Sequence, residues 1–348
     1  MSKIFNFTGK IQENGLPVIT ATTDLNVDYK YTEGFTFTLN SKNTECIVSG
    51  YNGSDLNIII PSIYFVDNIG DYLPVTMIGS NAFKGCSSLT NIIIPSSVTF
   101  IGLNAFNGCS SLTSITIPSS VSSIGDFAFY GCDSLTSITI PSRVTSIGSN
   151  TFNGCSSLTS ITIPSRVTSI GFNAFKGCSN LTSIIIPSSV TSIGSSAFDG
   201  CSNLTSIIIP SSVSRINADT FKGCSNLTSI TIPSSVTSIG EYAFYGCYSL
   251  TSINIPSSVK DIGSDAFFAC NISSINIPYG VTTINPRTFA GCSSLTSITI
   301  PSSVTSIGEF AFYGCDSLTS ITIISDKDSI DGAPWGATNA TITYIPSI

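Results

Sequence analysis

The sequence predicts a β-dominated α/β solenoid with short helical or 3₁₀ turns and β caps at its two ends, and three observations carry that prediction. Cysteines recur every 23 residues, at 86, 109, 132, 155, 178, 201, 224, 247 and 270, and then at 292 and 315. A fixed period in this range marks stacked supersecondary units. Within each unit isoleucine alternates with serine or threonine up to a proline, the pattern of a strand with one buried face. The chain is 42% hydrophobic and only 9% charged, yet no apolar run reaches the about 18 residues of a membrane-spanning helix.

An array that grows by repeats escapes the size limit of a single core, so 348 residues read as one elongated body. Residues 1–46 carry no repeat and alternate like strands, most clearly at Phe35-Thr-Phe-Thr-Leu39, and are expected to be an N-terminal β cap. Such a cover is needed because a solenoid end exposes its core and an open strand edge. Residues 47–325 are expected to form the solenoid, with one extended first turn and about eleven regular repeats. The first turn joins Ile58-Ile-Ile-Pro61 to Val75-Thr-Met-Ile-Gly79 across an insertion, Ser62 to Pro74. Residues 326–348 are expected to be a C-terminal cap in which Thr341-Ile-Thr-Tyr-Ile345 supplies a last strand beside the only tryptophan, Trp335.

Residues 110–132 show the unit cleanly. Leu112, Ile115 and Ile117 face inward and Ser114 and Thr116 outward. Pro118 ends the strand because it has no N–H for a ladder. Ser119-Ser120 then turns the chain toward the inward pair Val121 and Ile124. The next position is glycine at 102, 125, 148, 171, 194, 240 and 263 and asparagine at 217 and 285. That exchange predicts a left-handed turn there, since asparagine tolerates positive φ best after glycine. Ala-Phe after it predicts a helical or 3₁₀ turn burying phenylalanine, and Gly-Cys closes the unit. The repeat between Cys270 and Cys292 is one residue short, with Ala269, Ile272, Tyr279-Gly280 and Asn285-Pro286 departing from the pattern, so a bend or irregular surface is expected there. Eleven of the 12 cysteines share one repeat position. Parallel stacking does not give the disulfide dihedral, so they are expected to be buried free thiols.

The unit Leu-x-x-Ile-x-Ile-Pro-x-x-Val-x-x-Ile-Gly-x-x-Ala-Phe-x-Gly-Cys resembles the BspA-like leucine-rich repeat family over about residues 47–325. The junction of Ala-Phe-x-Gly-Cys with Ile-Pro is specific to that family. The resemblance implies a right-handed leucine-rich-repeat superhelix. It also implies adhesion to host cells and matrix proteins, since members are common on the surfaces of anaerobic bacteria and parasitic protists. A cell-surface or secreted location and a host-cell or matrix protein partner follow from the same resemblance, and no catalytic residue carries over. The start, Met1 to Gly9, lacks the apolar stretch of a secretory leader, and no anchor helix or cell-wall motif is seen, which leaves the cytoplasm open as a compartment.

The inventory narrows chemistry. With no histidine, Ser-His-Asp and Cys-His nucleophiles and every histidine-containing zinc site are excluded. No dinucleotide or phosphate-loop motif and no Cys-x-x-Cys spacing occurs. No catalytic residue, metal or cofactor is expected, and the chain is read as a non-enzyme. Thirteen Lys+Arg against 20 Asp+Glu give net charge −7, so no basic footprint for nucleic acid exists.

Two surfaces remain as binding candidates. Outward strand residues form polar columns, among them Ser114, Thr116, Ser137, Thr139, Ser160 and Thr162. They read as solubilising β-formers, as a weak groove for protein or glycan, or as a purely structural ice-, mineral- or glycan-binding lattice. The positions flanking Ala-Phe vary, and their aromatics Tyr242, Tyr245, Tyr248, Phe268, Phe310 and Tyr313 are the candidate anchors for a partner protein. Rings sealing the edge of the stack are the plainer reading. Arg143 and Arg166 share one slot and read as solvated. The sequons, Asn6, Asn52, Asn180, Asn203, Asn226, Asn271 and Asn339, matter only on a eukaryotic secretory route.

Overall fold

The computed structural model describes residues 32–326 and 330–346; residues 1–31 of the expected N-terminal cap, with Asn6, lie outside them. The part of the cap within them is an antiparallel pair, Phe35–Leu39 on Cys46–Tyr51, whose second strand runs parallel to Asp71–Ile78 and so joins the array. The inserted segment forms an antiparallel hairpin, Ile63–Val66 on Asp71–Ile78. Phe37 stacks on Tyr64 with ring centroids 4.1 Å apart, and Phe35 meets the first core ring, Phe83, edge-on at 6.2 Å.

Each regular turn contributes one strand to each of two parallel ladders. The longer ladder runs from Ser114–Ile115 through Ser137–Thr139, Ser160–Thr162, Ser183–Ile185 and Ser206–Ile208 to Ser229–Thr231. The second includes Ser146–Ile147, Ser169–Ile170 and Ser192–Ile193. Identical positions pair, Ser137 with Ser160, Ile138 with Ile161 and Thr139 with Thr162, because any slip would carry the isoleucines to the solvent face. The Val121 N–H donates to the Pro118 carbonyl at 3.0 Å, closing the corner over Ser119-Ser120. The threonine after each leucine is structural: Thr136 Oγ1 donates to the Thr113 carbonyl at 3.2 Å, and Thr159 to Thr136 at 3.3 Å.

The Ala-Phe segment differs from expectation. No α- or 3₁₀-helix occurs among the described residues. Instead, overlapping β-turns follow one another: Ala105 N–H donates to Gly102, Asn107 to Asn104 and Cys109 to Phe106, at 3.3, 3.1 and 3.1 Å. The intervening N–H groups of Asn104, Phe106 and Gly108 leave the turn and donate to Asp126, Ala128 and Tyr130 of the next repeat, at 3.0, 2.8 and 2.7 Å. A helix cannot propagate, because alternate donors serve the neighbour and two residues of each unit, such as Asn104 and Gly108, are left-handed.

The first of these lies two positions beyond the one expected; the second is the glycine of Gly-Cys. Asn81, Asn104, Phe127, Asn150, Tyr242 and Phe310 have φ between 53° and 61°, whereas Gly102, Gly125, Gly171 and Gly194 do not have positive φ. These glycines are there for space: a Cβ on any of the four would sit 2.6–2.7 Å from backbone of the preceding turn. Asparagine replaces them by a different device. The Gly194 N–H donates to the Ile170 carbonyl at 2.8 Å; Asn217 and Asn285 use Nδ2 instead, on Ile193 and Ile262, each at 2.6 Å. Gly194→Ala is therefore expected to cost about 1–3 kcal/mol through overpacking, and Gly194→Asn less. Urea midpoints of the two variants test this, and a larger loss for asparagine would sink it.

Inside, phenylalanines from Phe83 to Phe312 form a stack with centroids 5.2–5.9 Å apart and planes within 2–13° of parallel. Beside it runs the cysteine column. All described cysteines are free, and only Cys86 is not fully buried. From Cys109 onward each thiol finds an acceptor in a phenylalanine carbonyl of the preceding turn, as Cys155 does on Phe129 and Cys178 on Phe152, both at 3.2 Å. At the far end Trp335 is 3% exposed, and its carbonyl accepts from the Phe312 N–H at 3.1 Å, as the residue before each stacked phenylalanine does within the array. Thr341–Ile345 pairs in parallel with Ser320–Ile324, the closing strand the sequence predicts. The irregularity near the short repeat falls on the long ladder, which shrinks to isolated bridges at Ser252 with Ser274 and Asn276 with Thr299.

Candidate functional site

The turn segment determines what the array can show to a partner. In each unit the first left-handed residue and the residue three further on are the ends of one tight turn, as in the 3.1 Å bond from the Tyr130 N–H to the Phe127 carbonyl. Their side chains leave the same edge of the stack as a pair. Phe127 and Tyr130 lie 5.9 Å apart, Tyr242 and Tyr245 5.8 Å, and Phe310 and Tyr313 6.0 Å. Asn107 donates to Asn104 and Asn153 to Asn150, both at 2.9 Å, and Lys222 pairs with Asp219 at 3.1 Å. A uniform scaffold thus carries an ordered strip of dissimilar pairs.

The expected hot region resolves into a cluster and a neighbour. Tyr245 stacks on Phe268 of the next turn at 4.6 Å with planes 4° apart, and Tyr242 leans on Tyr245. Lys222 Nζ lies 5.4 Å from the Tyr242 ring and 5.8 Å from that of Tyr245. The hydrogen bond to Asp219 holds this ammonium above its ordinary pKa, so it stays charged over the cation–π pair. Tyr242, Tyr245 and Phe268 are half-buried, which means part of each ring seals the stack. Tyr248 stands apart at 60% exposure, its ring folded back over Gly246. Phe310 and Tyr313, 53% and 62% exposed, form a separate edge-on pair near the C-terminal segment.

The polar columns lie where the sequence puts them. Ser114, Thr116, Ser137, Thr139, Ser160 and Thr162 are all exposed, and those of neighbouring strands pair in register. Beyond Thr162 the threonine column is replaced by Ile185 and Ile208, 82% and 70% exposed, which breaks any extended lattice of hydroxyls. Arg143 and Arg166 are exposed. Among the described residues no helix is long and apolar enough to cross a membrane.

Sequence reasoning missed the asparagines of the strip. Asn104, Asn107, Asn150, Asn153 and Asn173 share a shallow cleft of about 740 Å³ with Phe127, Tyr130 and Phe172. The signal was available, since these asparagines occupy the same two variable positions as the chosen aromatics.

Comparison with known proteins places this architecture. The model of the BspA type leucine rich repeat region matches in six copies, over residues 76–205, 149–272 and 214–338. A leucine-rich repeat protein from Bacteroides ovatus superposes with a TM-score of 0.72 at 30% identity, covering 92% of this chain and 79% of that one. A leucine rich cell surface protein from Faecalibacterium prausnitzii gives 0.60 at 31% identity, covering 90% and 93%. The pneumococcal vaccine antigen PcpA, 18% identical with a TM-score of 0.52 over 91% and 98%, shares the fold alone. No curated protein matches.

Proposed function

The chain belongs to the BspA-type leucine-rich repeat family, and from that premise we propose that it is a non-enzymatic adhesion module that binds a host-cell or matrix protein through its turn edge. The observation that carries this reading is the Tyr242–Tyr245–Phe268 cluster with Lys222 over it. Flat rings beside a fixed cation are what a protein interface uses as anchors, because they bury large area at little conformational cost. The strand face lacks this variety, and repeated serine and threonine discriminate poorly between partners. A location at the cell surface or outside the cell accords with the Faecalibacterium cell surface protein. Phe310 and Tyr313 extend the same edge as a second contact.

Alanine at Tyr242, Tyr245, Tyr248 and Phe268 together is expected to weaken adhesion to cells or immobilised matrix proteins at least about tenfold. The phenylalanine stack is left intact, so circular dichroism should report an unchanged fold. Full binding by a folded quadruple variant would refute the assignment.

A further inference from the structure

We propose that the cleft between Asn104 and Lys176 is a binding site for a neutral saccharide. It lies on turns well before the Tyr242 cluster and does not depend on the adhesion reading.

Two features of the cleft select for such a ligand. The first is its amides. Asn150, 7% exposed, is fixed with Oδ1 accepting from both Asn153 Nδ2 at 2.9 Å and Asn173 Nδ2 at 3.1 Å. Both donors keep a second N–H for a ligand. Asn173 Oδ1 is buried with no partner, and a buried unpaired acceptor is costly. A ligand O–H that reaches this oxygen relieves the cost while Nδ2 keeps its bond to Asn150, so the site favours a ligand dense in hydroxyl donors. The second feature is apolar. Phe172 and Tyr130, 50% and 40% exposed, flank the amides, with Phe127 5.9 Å from Tyr130. Ring faces next to amides match a pyranose, which has C–H faces and O–H edges.

Charge adds the word neutral. The one charged residue of the lining, Lys176, is held by Asp199 of the next turn at 2.9 Å. No carboxylate lines the cleft to receive a cation.

The test is calorimetric titration of the full chain in two arms, with free neutral hexasaccharides of cellulose, xylan, mannan and chitin, and with neutral glycans released from glycoproteins. Binding in either arm is expected, with affinity falling about tenfold in each of Phe172→Ala and Tyr130→Ala, the fold-change that losing one ring contact represents. Tyr242→Ala should leave it unchanged. These rings lie outside the core stack, so the variants should melt like the parent. Absence of binding in both arms at millimolar ligand overturns the inference, as does binding that survives both ring substitutions or is lost in Tyr242→Ala. Neither result would touch the adhesion reading, whose variant leaves this cleft intact.

Discussion

Raising the pH above 9 is expected to unfold the array steeply. Burial, reinforced by neighbouring thiols, pushes Cys132, Cys155, Cys178, Cys201, Cys224 and Cys270 well above the ordinary thiol value of 9.0, and Cys109 to about 12. Below that ordinary value both folded and unfolded chains keep their thiols protonated, and stability is complete. Above it the unfolded chain ionises while the folded one does not, so each such thiol removes up to about 1.4 kcal/mol per pH unit until its folded pKa is reached. Six together reach at most roughly 8 kcal/mol per pH unit, comparable to the whole stability of an ordinary domain. The slope is assigned to the thiols by substitution. A Cys155→Ala, Cys178→Ala, Cys201→Ala variant is expected to show a shallower decline in urea-derived stability between pH 9 and 11, by up to about 4 kcal/mol per pH unit. An unchanged slope would dismiss the thiols as its source.

Phe198→Ala is expected to cost about 3–5 kcal/mol. Phe198 is fully buried and stacked on both sides, 5.5 Å from Phe175 and 5.6 Å from Phe221, so truncation leaves a gap across which both neighbouring rings lose their partner atoms. In a one-dimensional array this loss falls on two neighbouring interfaces. Unfolding should therefore lose its single transition, with the halves before and after residue 198 melting at separate urea concentrations. Hydrogen exchange resolves the two halves. A single transition shifted by under about 1 kcal/mol would mean that the stack is not what couples the turns.

Much of this fold was legible in the sequence because each signal had one physical cause. Ile-Pro reads as a strand exit since proline lacks the ladder donor, and Ile115, Ile117 and Phe129 are buried as their spacing requires. The errors arose where two causes leave the same mark. Glycine exchanging with asparagine indicates positive φ, but it equally marks a place where a Cβ strikes the turn below and a side-chain amide can replace a backbone donor, as Asn217 shows. The true left-handed position was disguised because bulky Phe127, Tyr242, Arg287 and Phe310 occupy it alongside Asn104 and Asp219, whose residue types tolerate positive φ. A local reading could not foresee that Phe127, Tyr242 and Arg287 are held there by N–H bonds to the next turn. For the same reason the aromatics of the edge were visible as candidates, whereas the grouping of Tyr245 with Phe268, and of Asn150 with Asn173, depended on the pitch of the stack.

The hydrogen bonds between turns run in opposite senses on different faces. On the turn edge the Phe106 N–H donates forward to Ala128; beside the strands the Thr136 N–H donates backward to Thr113. Each regular unit therefore presents the same mixed set of donors and acceptors upward and the complementary set downward. Removing or duplicating one whole unit, in one orientation only, leaves no backbone group without a mate. The units are interchangeable parts with a polarity, and recombination within the gene can lengthen or shorten the array without inventing new chemistry. Only the two end pieces must match a unique surface, which is why Trp335 and the Thr341–Ile345 strand must complete both senses at once.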